Sequence, residues 1–265
     1  MTATVTYVYA IARHTPALSQ TLTGLTGVAG SPVHAVHTAP AGAVVAVVSP
    51  VPEADYDEAA LRRHLEDLTW LENLARAHHG VVETLVACTT VLPLRLATVY
   101  RDDDRVRTMI DHRHDQFREQ LAHLADHCEW GVKLYVDSPT ATVTEQPVAS
   151  GLSPGRDYLR RRRAQRDEQQ DAYRAAERTA ERVETAARAH AVGRVRHRIQ
   201  EGELAAGPGV NISNDAYLVP VDHTEQFLAD VTRSADGLPG VRVEVTGPWA
   251  PYSFAVAPQS EDPGP

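Results

Sequence analysis

Cysteine is nearly absent: Cys88 and Cys128 are the only two in 265 residues. That excludes a disulfide framework and a four-cysteine metal site, and it fits a reducing cytoplasm. Aromatic residues make up 6% of the chain, and Lys133 is the one lysine, so nearly every cation is arginine. Long apolar runs are missing too. The longest uncharged stretch lies between His37 and Glu53; it carries Pro40, Pro50 and Pro52 and falls short of the ~20 residues a membrane-spanning helix needs. The opening Met1-Thr2-Ala3-Thr4-Val5 lacks the basic and apolar regions of a secretory signal, which disfavours export. No Gly-x-Gly-x-x-Gly, Walker loop or Gly-x-Ser-x-Gly elbow occurs, so nucleotide binding and triad hydrolysis lose their usual support.

What is present describes an ordinary globular protein. Hydrophobic residues are 43% and charged residues 23%, enough for one large domain or two small ones with a real core. Acids outnumber bases 35 to 26, a net charge of −9, which disfavours a general nucleic-acid binder. The 13 histidines invite a metal reading. His123 and His127 are four apart with Cys128 following, but spacing fixes no third ligand and the zincin motif is missing, so histidines on a polar helix face are the expectation. His78 and His79 are expected at a helix C-terminus, where they complement the partial negative charge.

The periodicity suggests two similar halves. Residues 4–11 alternate as a strand with one buried face. A short helix over 16–25 and strands over 33–38 and 42–48 follow, joined by a turn at Pro40, Ala41 and Gly42. Leu61, Leu65, Leu68, Leu71, Leu74 and Ala75 have helical spacing, Gly80 is expected to end that helix, and 81–86 to close the series as a strand. This is the βαββαβ order of a ferredoxin-like sandwich, with a domain boundary placed at 98/99. The same order occurs in RNA-recognition domains, but the third strand, Gly42-Ala43-Val44-Val45-Ala46-Val47-Val48, has no stacking aromatics, so RNA binding is not expected.

The second half, 99–265, is expected to be an α+β domain. A helix over 103–127, a strand over 130–136 and a loop over 137–153 lead to a charged segment, in which 13 arginines and 9 acids fall between Arg156 and Glu203. Tyr173, Ala176, Ala180, Val183 and Ala187 step by three and four, a heptad-like seam that predicts a long helix over 159–187. Gly193 would separate it from a shorter helix ending near Leu204, giving a two-helix arm over about 154–204. A strand over 216–221, a helix over 223–235 and a strand over 241–246 complete the domain. The run Thr246-Gly247-Pro248-Trp249-Ala250-Pro251-Tyr252-Ser253-Phe254 then concentrates aromatics stiffened by proline. It reads either as a seal over the core or as an anchor for a partner. Trp249, Tyr252, Phe254, Tyr173 and Ala180 are therefore the candidate partner-binding residues.

Several segments, taken in order, carry a family resemblance: Tyr7-Val8-Tyr9-Ala10-Ile11; Leu68-x-Trp70-Leu71-Glu72 with Ala77-His78; Val91-Leu92-Pro93-Leu94-Arg95; Glu129-Trp130-Gly131-Val132-Lys133; Gly155-Arg156-Asp157-Tyr158-Leu159; Asn214-Asp215-Ala216-Tyr217-Leu218-Val219; and the 246–254 run. Together they resemble the gas vesicle protein L/F family along nearly the whole chain. Leu96-Ala97-Thr98 departs from that family's usual Phe-Gly-Thr, and Ala250 stands where proline is usual. The resemblance implies a non-enzymatic, cofactor-free accessory protein for gas vesicle assembly, cytoplasmic and associated with the vesicle. It also implies partners in the shell-forming gas vesicle protein A and in other accessory proteins, rather than membrane or nucleic acid. The competing class is an enzyme or small-metabolite sensor on a ferredoxin-like scaffold, which a deep pocket with converging polar groups would favour.

Overall fold

Side-chain caps set several helix starts. Pro16 opens α1 (Pro16–Leu22) behind Thr15, whose hydroxyl accepts the Leu18 N–H. Asp67 caps α4 (Leu68–Val86) by accepting the N–H groups of Thr69 and Trp70, and Asp102 caps α5 (Asp103–His112) through Arg105. The structure, a computed structural model, describes residues 3–38, 43–64, 66–136, 154–199, 209–234, 236 and 240–255. The expected loop over 137–153 and turn at Pro40-Ala41-Gly42 lie outside these residues, as do 200–208 at the end of the expected arm.

The chain is α+β with two antiparallel sheets, in two compact units: Met1–Cys128 with Trp249–Pro265, and Glu129–Pro248. The first unit contains β1 (Thr4–Arg13), β2 (His34–His37), β3 (Val44–Pro52), β4 (Val91–Pro93) and β5 (Val99–Tyr100) in the order β2-β3-β1-β4, with β5 also on β1. Pro50 and Pro52 pair with Thr6 and Thr4, beyond the stretch of β3 that β2 covers, so their missing N–H groups leave the β2 ladder intact. A bulge between Val8 and Ala10 shifts the phase of β1, which puts Tyr7, Tyr9, Ala10 and Ala12 in one core. β1 is buried on both faces, not one, because α1 and α4 cover one side while α5 and α6 (His114–Leu124) pack over the other.

Four expectations change in this unit. The one helix expected through Leu61, Leu68 and Leu74 is two, Glu58–His64 and α4, because Asp67 caps the start of α4. Residues 81–86 continue α4 instead of forming a strand, since Val81, Val82 and Leu85 extend the buried helical face of Leu74 and His78. His78 and His79 are thus inside the helix, not at its C-terminus. The helix expected over 103–127 is two helices that meet at Arg113, the second ending at Leu124, and β6 (His127–Val136) begins at the residue where it would have ended. The division at 98/99 also differs from the compact units: α5 and α6 pack on strands of the first unit, and residues 249–255 return to it.

The second unit orders its strands β7-β8-β6-β9, with β7 (Gly193–Arg196), β8 (Val210–Pro220) and β9 (Val241–Trp249). α7 (Pro154–Arg188) is a single helix of 35 residues, roughly 52 Å long. It packs on β8 and on α8 (Thr224–Arg233). The second helix expected in the arm starts instead as strand β7, where Gly193 to Arg196 pair with Leu218 to Asp215. The alternation Arg194, Val195, Arg196 suits that edge better than a helix.

The α7 seam is also adjusted. Ala176, Val183 and Ala187 are buried as expected, but Thr179 is fully buried beside them while Ala180 is only half-buried. The Thr179 hydroxyl donates to the Ala175 carbonyl at 2.9 Å, which lets a polar residue take the seam. An ion network fixes the end of the helix. Asp215, 4% exposed, accepts from Arg194 Nε at 3.0 Å and from the Ser213 hydroxyl at 2.7 Å, and Arg194 also reaches Glu184 of α7 at 3.0 Å. Asp215→Ala would leave Arg194 partly desolvated beside a cavity, so it should lower stability by about 3 kcal/mol in urea unfolding. A loss below about 1 kcal/mol would show that the network does not anchor the helix.

Candidate functional site

The buried heart of the first unit is unusually polar. Tyr7 and Tyr9 are fully buried on β1, so their hydroxyls need partners. Tyr9 Oη accepts the Val28 N–H at 2.7 Å and lies 2.7 Å from Ser49 Oγ of β3. Gly27 permits this approach, because a Cβ there would stand 2.1 Å from the Tyr9 hydroxyl. Tyr7 Oη accepts the Ala97 N–H at 3.1 Å and lies 2.9 Å from His78 Nδ1. With the Ala97 N–H as donor, the Tyr7 proton is directed to Nδ1, which assigns the His78 proton to Nε2. Ala97, which replaces the usual glycine of the resembled family, adopts φ 62° to present this N–H.

Burial drives the electrostatics of the cluster. It pushes the Tyr7 hydroxyl well above the ordinary phenol range, raises Tyr9 as well, and takes Tyr56, beside Asp55, up to about 12. His78 is held down at about 4, first by burial and then by neighbouring His79, with a partial counter-effect from the Leu94 carbonyl. His79 in turn lies 3.1 Å from Glu83.

The C-terminal aromatic run closes over α4. Ala250 is buried within the first unit's core, Pro251 is buried, and Tyr252 packs against that core. The Tyr252 ring is 6.3 Å from His78 and 6.2 Å from His79, while Trp249 is 5.9 Å from His79. The two sequence readings of this run therefore divide by residue. Ala250 and Tyr252 seal the core; Trp249 remains 41% exposed. Phe254 is half-buried in the short 3-10 turn Tyr252–Phe254. Ala180 is on α7 in the second unit, and the side chain of Tyr173 lies outside the described residues. The candidates are thus not one cluster: Trp249, Tyr252 and Phe254 share a segment, and Ala180 and Tyr173 belong to another element. Sequence reading missed the Tyr7–His78–Ala97 link; the resemblance had placed Tyr7 and His78 in separate motifs without signalling that they touch.

Other polar groups offer less chemistry. His123 and His127 stack with ring centroids 6.3 Å apart, and His127 Nδ1 lies 2.6 Å from the Ala125 carbonyl, so it is held as a donor there. Among the described residues no group of three or more His, Cys, Asp or Glu side chains is arranged to hold a metal. A shallow depression on α8, lined by Leu228, Ala229, Thr232, Arg233 and Asp236, opens broadly to solvent.

His78 gives a pH test. Its folded value near 4 lies below the ordinary 6.5, so between these values the unfolded chain binds more protons. The stability this provides is fully present above about pH 6.5 and is lost as pH falls toward 4. Urea stability should drop by about 2 kcal/mol between pH 7 and pH 5. His78→Gln, whose side-chain oxygen can still accept the Tyr7 proton, should remove most of that drop. An equal drop in both proteins would assign it to other groups.

Comparison with known proteins places this architecture. The family model described as gas vesicle synthesis protein GvpL/GvpF matches residues 5–256. Gas vesicle protein L of Streptomyces sp. (strain CB03234) is 44% identical over 252 residues, covering 94% of this chain and 92% of that protein. Gas vesicle protein F of the same strain is 29% identical over 260 residues, covering 94% and 98%. The crystal structure of GvpF from Anabaena sp. PCC7120 superposes with a TM-score of 0.65 at 20% identity, covering 95% of this chain and 96% of that one, and so shares its fold. With its family model matched almost end to end and a relative at 44% identity, the chain belongs to the gas vesicle GvpL/GvpF family.

Proposed function

We propose that this protein is a non-enzymatic accessory factor that holds the shell-forming gas vesicle protein A, together with other accessory proteins, during assembly in the cytoplasm. A role in gas vesicle formation follows from the family itself, which is a gas vesicle structural and accessory family, not a known enzyme family. The observation that carries the finer reading is the C-terminal run, where a sealed segment fixes an exposed tryptophan beside His79. A rigid aromatic with little entropy to lose is a good anchor for an apolar partner. A shell subunit that excludes water once assembled exposes apolar surface beforehand, and a bound soluble factor would keep it from aggregating. No described helix is long and apolar enough to cross a membrane.

Both units also read as ferredoxin-like. Each runs strand, helix, strand, strand, helical segment, strand, and each orders those strands second, third, first, fourth. The shallow depression on α8 gives the competing sensor or enzyme reading little support.

The binding test separates anchor from seal by mutating them singly. Trp249→Ala should weaken capture of the shell protein about 30-fold, the size of a 2 kcal/mol hot spot, while changing stability by less than about 1 kcal/mol. Tyr252→Ala should lower stability first, because its ring packs on the core. Undiminished capture by the Trp249→Ala protein would remove this segment from the interface.

A further inference from the structure

Charge is distributed unevenly along this chain, and the structure gives that imbalance a shape. Of 26 basic and 35 acidic residues, 13 and 9 fall between Arg156 and Glu203, so the rest of the chain carries 13 and 26. α7 holds most of this basic segment, and its two halves differ. Among the side chains described on α7, Ala175 is the first buried one, followed by Ala176, Thr179, Val183 and Ala187. Ahead of it, Arg160, Arg162, Arg163, Arg166, Gln170 and Arg174 are all exposed. Arg162 and Arg166 stand at i,i+4 with like charge, an arrangement a helix does not favour.

The complementary surface is on the first unit. Within twenty residues of α2 (Glu53–Tyr56), α3 (Glu58–His64) and the start of α4, Glu53, Asp55, Asp57, Glu58, Glu66, Asp67 and Glu72 are exposed. Arg62 and Arg63 are the arginines among them; Arg62 pairs with Glu58, Glu72 pairs with Arg76, and Asp57 and Asp67 accept helix N–H groups, which leaves the net charge of this surface negative. Leu68, which follows Glu66 and Asp67 at the start of α4, is 79% exposed. An acidic field around an exposed aliphatic side chain is suited to a basic helix whose long arginine stems cover apolar surface while their heads meet carboxylates.

We propose that the partner of the α7 arm is a second copy of this chain: the arginine-rich N-terminal half of α7 docks on the acidic α2–α4 surface of the other molecule. Under two-fold symmetry each copy supplies one arm and one acidic surface, so the contact is made twice and the assembly closes as a dimer. The sequence itself supplies both members of the charge pair. Because the contact is peripheral and charged, it should be strongly salt-sensitive.

Sedimentation of the full-length protein at about 20 mM and about 500 mM NaCl is the first measurement, since the screening length contracts several-fold between them. A dimer at low salt that weakens at least about tenfold at high salt is expected; a monomer at both, or a dimer indifferent to salt, overturns the proposal. Charge reversal then identifies the surfaces. The set Arg160→Glu, Arg162→Glu, Arg163→Glu and Arg166→Glu should give monomers, and so should Glu53→Lys, Asp55→Lys and Glu58→Lys. Mixing the two proteins should restore a heterodimer, because both contacts are again between opposite charges. Failure to restore it, with circular dichroism showing each variant folded, assigns the arm a different partner. If either reversed set proves unfolded, the matching neutral substitutions to Gln or Asn replace it. A low-salt dimer undiminished by the neutral arm set would equally overturn the proposal.

Discussion

Burying a phenol hydroxyl without a partner costs on the order of 1–3 kcal/mol, and β1 buries two. Meeting that requirement ties together segments far apart in sequence. Tyr9 holds the loop at Val28 and reaches β3 through Ser49; Tyr7 holds the turn at Ala97 and reaches α4 through His78. The bulge in β1 then keeps Ala10 and Ala12 on the same side as the tyrosines, where small side chains leave room for the helices. The geometry around these hydroxyls explains several odd choices at once. Gly27 is a glycine because the Tyr9 ring fills its Cβ position, and Ala97 tolerates a left-handed backbone because its N–H is committed to Tyr7. With both tyrosine hydroxyls and His78 Nδ1 engaged, the network specifies one arrangement of the core, which apolar packing alone does less sharply, although His78 Nε2 is buried without a hydrogen-bond partner.

The two units solve a shared topological problem with different elements. Each sheet places its first strand between the third and the fourth, so the first strand is central and most constrained. In the first unit, the crossover to the second strand is the seven-residue α1; in the second unit it is the 35-residue α7. The buried side chains described on α7, Ala175, Ala176, Thr179, Val183 and Ala187, all lie in its C-terminal half. Thr179 and the Arg194–Asp215–Glu184 network hold this half in place.

Much of this was legible in the sequence, for local reasons. The period of two at β1 and β9 and the seam residues Ala176, Val183 and Ala187 are short-range signals that act where they are read. The failures are where a long-range contact overrides a local preference. Val81 and Val82 favour a strand in isolation, but continuing α4 buries them with Leu85 against the core. Gly80 was expected to stop that helix, yet its Cβ position faces open space and the helix passes through. The charged stretch after Gly193 resembled more helix until β8 offered it an antiparallel edge. Within the aromatic run, composition alone could not separate Trp249 from Tyr252. Their difference comes from how α4 presents His78 and His79, and that depends on the whole first unit.

The first unit is discontinuous in sequence, and this constrains how its surface is built. Residues up to Cys128 provide the sheet and its helices, but Ala250 and Tyr252 enter the same core only after the intervening unit has been traversed. Contacts with such large sequence separation form late and carry a high loop-closure cost. Until they form, the surface of α4 around His78 and His79 lacks its cover. Once they form, the same few residues that close the core bring Trp249 against His79 and leave it partly exposed. Completion of the core and presentation of the exposed indole are therefore one event. A chain lacking its C-terminal segment would lose both, which is why a binding defect in a truncation says little about the anchor and a single substitution at Trp249 says a great deal.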